Sequence, residues 1–73
     1  MSGDYALVYV SIRWDDSTRT YRIERSVDGA GWELLYVVER GRAEAESLAR
    51  VYVAGMRDAG HTNVRLTSAG FPL

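Results

Sequence analysis

Cysteine is absent from this 73-residue chain, and so are lysine and glutamine. Without cysteine, neither a disulfide nor a thiolate metal site can stabilise the fold. The single histidine, His61, is too little for a histidine-rich metal site, and we expect no metal and no cofactor. A chain of this length buries only about 60% of the surface that its unfolded state exposes. Good packing or association with a partner therefore has to supply the remaining stability.

The chain also lacks any apolar run near the roughly 20 residues that a membrane-spanning helix needs. Its first residues, Met1 to Asp4, do not form the positively charged and apolar segments of a signal peptide. We therefore expect a cytoplasmic protein. The hydrophobic share of 47% and the charged share of 26% are those of a globular domain. The net charge of −1 gives no general attraction to phosphate.

Arginine supplies all nine basic residues. Arginine, alanine, glycine and valine have GC-rich codons, whereas lysine has AT-rich ones, so the composition predicts a high-GC bacterium or one of its phages as the source. Each cation in this chain is consequently a planar guanidinium that can stack and bind bidentately.

Two strands are indicated by β-branched and aromatic residues that alternate with polar ones between turn residues. The first runs from Tyr5 to Trp14 and the second from Thr18 to Val27. A tight hairpin with Asp16-Ser17 at its tip pairs Ile12 with Tyr21, Val10 with Ile23 and Trp14 with Arg19. This pairing places both apolar faces on one side of the sheet and predicts a cation–π contact between Trp14 and Arg19.

The third strand, Gly31 to Val38, is apolar on both faces, so alternation alone does not orient it. A two-residue turn at Asp28-Gly29 or Gly29-Ala30 places four large residues on the core side: Trp32, Leu34, Tyr36 and Val38. A three-residue loop instead buries Leu35 and Val37. We favour the two-residue turn because it is the commoner type and buries the larger side chains.

The period changes between Arg42 and Ala59, where an amphipathic helix is predicted by six residues at three- and four-residue spacing: Ala45, Leu48, Ala49, Tyr52, Met56 and Ala59. Gly60 ends the helix, and Val64 and Leu66 begin a short last strand. The predicted fold class is α+β, a single domain with the order β-β-β-α-β. Its antiparallel three-stranded meander carries one helix on one face, the fourth strand lies beside the first in the order 4-1-2-3, and residues 67–73 fray.

Residues that could carry chemistry all lie in predicted turns. His61 follows the glycine that ends the helix, and Asp15 and Asp16 occupy a hairpin tip, where aspartate is favoured for local hydrogen bonding. The glycines at 29 and 31 precede a strand rather than a helix, so they do not form a phosphate-binding loop. The sequence therefore predicts no enzyme and no catalytic residue.

The sheet face away from the helix is the remaining candidate site. The preferred register places on it the six residues that we expect to bind a partner: Tyr5, Leu7, Tyr9, Arg22, Leu35 and Val37. Exposed apolar patches with tyrosine and arginine are typical of protein interfaces. We expect a non-enzymatic interaction module that forms a homodimer or binds a host protein. The alternative is a nucleic-acid-binding module in which Tyr5 and Tyr9 stack on bases, while phosphates are contacted by three arginines, Arg13, Arg22 and Arg65.

One resemblance rests on the Gly31-Trp32 hairpin and on the helix that opens Arg42-Ala43-Glu44-Ala45-Glu46. These features, over about Tyr21 to Ala59, resemble the arm-binding N-terminal domain of tyrosine recombinases, and also short uncharacterised bacterial proteins of ββαβ layout. The recombinase resemblance implies a sheet that enters the DNA major groove. That family normally carries more basic residues on its sheet, and the net charge of −1 here departs from that pattern, so we assign none of its functional residues to this chain.

Overall fold

The computed structural model describes residues 7–68 and contains one four-stranded sheet and one helix. The elements are β1 (Val8–Asp15), β2 (Thr20–Val27), β3 (Trp32–Val38), α1 (Arg42–Asp58) and β4 (Val64–Ser68). The strand order is β3-β2-β1-β4, with β1 antiparallel to β2 and parallel to β4. The predicted α+β class and strand order are therefore confirmed. Thr67 and Ser68, predicted to fray, extend β4 instead, and the rest of the predicted tail lies outside the described residues.

The core lies between the helix and one face of the sheet. The helix packs on β1, β2 and β4 through Ala45, Ala49, Val53 and Met56. Small alanines at two of these positions let the helix approach the sheet closely. The sheet contributes six further buried residues to this core: Val8, Val10 and Ile12 from β1, Ile23 from β2, Val38 from β3 and Val64 from β4. Leu48 and Tyr52, which the sequence places on the core stripe, are half-buried at its margin.

The helix ends where the sequence predicts. Gly60 has a φ of 106°, which a residue with a side chain rarely adopts. Its N–H bonds the carbonyl of Arg57, and the His61 N–H bonds the carbonyl of Met56 at 3.1 Å. These two bonds form a Schellman motif that satisfies the last carbonyls of the helix. Within residues 7–68, no helix is both long and apolar enough to span a bilayer.

The predicted register of the first hairpin is wrong by two residues. The turn contains four residues, Asp16 to Arg19, and Arg19 closes it with a φ of 58°. Ile12 consequently pairs with Ile23, and Trp14 pairs with Tyr21 at a ring-centroid distance of 4.7 Å. The predicted contact of Trp14 with Arg19 is replaced by this aromatic pair. A shift of two residues keeps every side chain on its predicted face, because strand side chains alternate with a period of two.

The second hairpin has the predicted turn but not the predicted strand orientation. Asp28 and Gly29 both have positive φ, and the Ala30 N–H bonds the Val27 carbonyl at 3.0 Å, as in a type I′ turn. The next strand pair joins Ser26 to Trp32, so Gly31, with a φ of 101°, is an extra residue. This one-residue shift moves Trp32 and Leu34 from the core face, where they were predicted, to the open face.

A bulge at Leu35 then reverses the orientation of the end of β3. Glu24 pairs with Leu34, but Ile23 pairs with Tyr36, so Leu35 has no opposite residue on β2. Leu35 packs against the core, which corrects the prediction that it lies on the open face. The bulge also lets Val38 reach the core opposite Tyr21. Two inserted residues, at 31 and 35, therefore give β3 its final orientation.

Candidate protein-binding surface

Exposed apolar side chains concentrate on β3. Among residues 7–68, six large apolar residues stay exposed, and four of them lie on this strand. Trp32 is 56% exposed, Leu34 45%, Tyr36 44% and Val37 49%. We call these four residues the β3 surface. The strand stands at one edge of the sheet, so the surface lies at a margin of the molecule.

Strand pairing assigns the β3 surface to both faces of the sheet. Trp32 lies opposite Ser26, Leu34 opposite Glu24 and Val37 opposite Arg22, all on the face away from the helix. Tyr36 lies opposite the core residue Ile23 and therefore projects on the helix side. Because α1 packs mainly on β1, β2 and β4, Tyr36 remains partly exposed there. Strand β3 thus exposes apolar groups on two faces.

The centre of the open face is charged rather than apolar. One carboxylate oxygen of Glu24 lies 3.4 Å from Arg13 Nη2 and 3.5 Å from Arg22 Nε. Arg22 also lies 3.7 Å from a carboxylate oxygen of Asp15. Two cations and two anions therefore form a neutral chain across β1 and β2. The Glu24 side chain is only 13% exposed, so these pairs are partly shielded from water.

The helix-side flank of β3 holds a second polar cluster. The Arg25 guanidinium donates through Nε and Nη2 to Glu33, and through Nη1 to the Tyr52 hydroxyl at 2.7 Å. The hydrogen bonds to the Glu33 carboxylate raise the pKa of Arg25, so this residue stays charged. Arg25 and Tyr52 also line a shallow groove beside the helix, together with Val51, Gly55, Met56, Ala59 and His61. Glu33, the one charged residue of β3, is therefore paired with Arg25 of the same chain.

The two described site residues near the start of the chain, Leu7 and Tyr9, differ in their exposure. Tyr5 lies outside the described residues. Leu7 is half-buried, and its N–H donates to Asp28 Oδ1 at 2.8 Å while its carbonyl accepts the Asp28 N–H. These two hydrogen bonds hold Leu7 beside the second hairpin turn. Tyr9 is exposed on the open face, with Ser26 opposite it and Arg65 on its other side.

The predicted site residues of β2 and β3 lie on different faces of the sheet. Val37 is exposed on the open face as predicted, beside Arg22, which belongs to the charged chain. Leu35 is on the opposite side, against the core. Sequence reasoning missed Trp32 and Leu34 because it assigned them to the core. The Gly31 that displaces them was visible in the sequence as a glycine directly before the strand.

The residues considered for chemistry lie in or next to turns: Asp16 is in the first hairpin turn, Asp15 is the last residue of β1 before it, and His61 follows the end of the helix. Asp15 accepts hydrogen bonds from the Ser17 hydroxyl at 2.8 Å and the Ser17 N–H at 3.1 Å. These bonds lower the pKa of Asp15, chiefly through the hydroxyl. His61 follows the Schellman motif that ends the helix. In the part of the chain that the structure describes, no group of three or more acidic, histidine or cysteine residues is placed to hold a metal ion.

Comparisons of this chain with protein-family models, with curated proteins and with solved structures find no match. They therefore lend no support to the resemblance to recombinase arm-binding domains.

Proposed function

We propose that this chain is a non-enzymatic protein-interaction module that associates with a second copy of itself through the β3 surface. The observation that carries the proposal is the grouping of Trp32, Leu34, Tyr36 and Val37 on one edge strand, each about half exposed. Tryptophan and tyrosine are enriched among the residues that dominate binding energies at interfaces. A grouped set of such side chains is unlike the scattered apolar residues of an ordinary surface.

The charged chain on the open face argues for an interface at β3 rather than at the middle of the sheet. A dimer centred on Tyr9 would cover Arg13, Arg22, Glu24 and Asp15 as well. Removing four charges from water costs several kcal/mol for each ion, and the pairs recover that cost only with excellent geometry. The separations here, 3.4 to 3.7 Å, are long for hydrogen-bonded ion pairs. We therefore propose that the interface centres on β3, with Tyr9 at its margin.

A second copy of the chain suits this surface. The charge within the strand, Glu33, is paired with Arg25, and the two charges opposite Leu34 and Val37, Glu24 and Arg22, are paired with each other. The surface therefore does not need a partner of opposite charge. An apolar, uncharged patch is complementary to itself, which a twofold dimer requires. A foreign protein partner is an alternative that oligomeric-state measurements distinguish from self-association.

The second candidate function, nucleic-acid binding, has one observation in its favour. One row of paired residues crosses the open face from Trp32 through Ser26 and Tyr9 to Arg65. In this row the small Ser26 has one aromatic residue on each side. Aromatic residues on a sheet can stack with unpaired bases. Against this, Glu24 partly neutralises both Arg13 and Arg22, the other cations on that face. We therefore expect no gel shift of random single-stranded or duplex DNA at physiological salt and low micromolar protein.

The test introduces charge into the β3 surface without disturbing the fold. In the variant carrying both Trp32→Glu and Val37→Glu, the new carboxylates face Ser26 and Arg22 on β2, so neither opposes an acidic neighbour within the chain. In the dimer they would be buried, and they would repel their counterparts on the other copy. We expect sedimentation equilibrium to show a folded monomer where the wild type is a dimer.

The matched control carries Ala43→Glu and Ala54→Glu, two exposed positions on the helix, and adds the same charge. We expect this control to remain dimeric. Equal masses for the wild type and the β3 variant, at concentrations where the wild type is a dimer, would show that the interface lies elsewhere.

A further inference from the structure

We infer that the two copies join edge to edge, through antiparallel pairing of β3 with its counterpart, to form one continuous eight-stranded sheet. This inference rests on the proposed self-association and specifies its geometry. The strand order leaves one side of β3 without a neighbouring strand in the described chain. About half of its backbone N–H and C=O groups therefore point away from β2, as on any edge strand.

The composition of β3 is that of an interior strand rather than an edge. Six of its seven residues are apolar, and they are distributed over both faces. Runs of this kind are typical of strands covered on both sides. Natural edge strands are usually protected against pairing by charges or proline. Residues 32–38 contain no proline and a single charge, Glu33, which is engaged with Arg25 on the helix side.

The bulge at Leu35 does not provide that protection. A bulge can prevent edge pairing by twisting the strand away from a partner. Here it brings Leu35 and Val38 to the core and leaves Leu34 and Val37 exposed on the open face. Its effect on the exposed surface is therefore to retain apolar groups rather than to replace them with charges.

Edge pairing also covers apolar groups on both faces at once. A twofold axis perpendicular to the sheet makes the two β3 strands antiparallel and keeps the open faces of both copies on the same side. The open-face group of one copy, Trp32, Leu34 and Val37, then lies beside the same group of the other copy in reversed order along the strand, and Tyr36 of both copies lies on the helix side. Face-to-face packing of the open faces, in contrast, would leave both Tyr36 and the strand edge in water.

The area available predicts a dimer of weak affinity. An aromatic side chain can bury about 150–250 Å². Trp32 and Tyr36, each about half exposed, therefore offer roughly 200 Å² together. With Leu34, Val37 and the strand edge added, and both copies counted, the contact falls below the roughly 1,200–2,000 Å² of standard specific interfaces and in the range of weak ones. We expect a dissociation constant of about 10–100 µM.

Hydrogen exchange tests the pairing directly. We expect the β3 amides that point away from β2 to exchange more slowly as the protein concentration rises, whereas the amides at Thr62 and Asn63 do not change. By mass action, the slowing is about fivefold when the total protein concentration is ten times the dissociation constant. A dimer in solution whose outward β3 amides exchange at a concentration-independent rate would overturn edge pairing but leave the proposed self-association intact.

The absence of native cysteine allows a second, independent test. Single cysteines replace Leu34, Tyr36 or Val37 on β3, Arg13 in the centre of the open face, and Ala54 on the helix as a background control. The variants are oxidised alone and in equal mixtures. Cross-strand neighbours come within the range that a disulfide can bridge, so edge pairing predicts linked dimers for β3 positions well above the Ala54 background. Preferential linkage through Arg13→Cys would instead establish face-to-face packing. A wild type that is monomeric at several hundred micromolar would refute both the edge pairing and the proposed function.

Discussion

Replacing Trp32 with alanine separates the contribution of this residue to the interface from its contribution to the fold. Trp32 is 56% exposed and lies opposite Ser26, away from the core. From a whole aromatic side chain of about 150–250 Å², each copy exposes about 80–140 Å², worth about 2–3.5 kcal/mol per copy, or about 4–7 kcal/mol per dimer, if fully buried. Buried area converts incompletely into affinity, so we expect the substitution to raise the dissociation constant about 30- to 150-fold. The variant should be monomeric at 100 µM, by sedimentation.

The other tryptophan of the chain provides the control. Trp14 is half-buried and packs against Tyr21 at 4.7 Å, so Trp14→Ala should lower the free energy of unfolding while leaving dimer affinity nearly unchanged. At about 5 µM, where the monomer dominates, Trp32→Ala should change the free energy of unfolding by less than about 1 kcal/mol, whereas core tryptophan truncations cost about 3–5 kcal/mol. A core-sized loss for Trp32→Ala, or an unchanged dimer, would refute our placement of this side chain.

Two further predictions concern the fold. Leu48 is half-buried at the core margin, so Leu48→Ala should cost about 1–2 kcal/mol by thermal unfolding, below the 2–5 kcal/mol typical of fully buried leucines; a neutral result would mean that the helix packs on a different face. The lowered pKa of Asp15 predicts stabilisation that is present above its ordinary value of 3.8 and is lost as the pH falls through the folded-state value. Ser17→Ala removes the main hydrogen bond responsible, so the difference in thermal midpoint between this variant and the wild type should be larger at pH 7 than at pH 2. A difference that is the same at both pH values would show that the hydrogen bond does not act on the carboxylate.

The architecture was predictable because different signals in the sequence agree. The three- and four-residue spacing of Ala45, Ala49 and Met56 predicts the helix, and Gly60 predicts its end. Alternation in β1 and β2 gives the correct faces even though the predicted pairing is two residues out of register. Face assignment survives this error because a shift of two residues does not change which side of the sheet a side chain occupies.

The candidate surface was predictable only in part, because β3 is apolar on both faces. Alternation carries no information on the orientation of such a strand, which depends on the number of residues in the turn and on any bulge. The turn at Asp28-Gly29 follows from its sequence, but the extra residues Gly31 and Leu35 depend on packing against β2 and the core. Long-range contacts such as that of Arg25 with Tyr52, 27 residues apart, have no local sequence signal.

Sedimentation velocity of the wild-type protein between about 1 and 300 µM measures self-association through the β3 surface without any substitution. We predict a mass of 8.2 kDa at the lowest concentrations and a reversible shift towards twice that mass as the concentration rises through the expected dissociation constant. The Ala43→Glu, Ala54→Glu control should follow the same curve, and the Trp32→Glu, Val37→Glu variant should stay at the monomer mass. A wild type that sediments as a monomer throughout this range would contradict the proposed self-association.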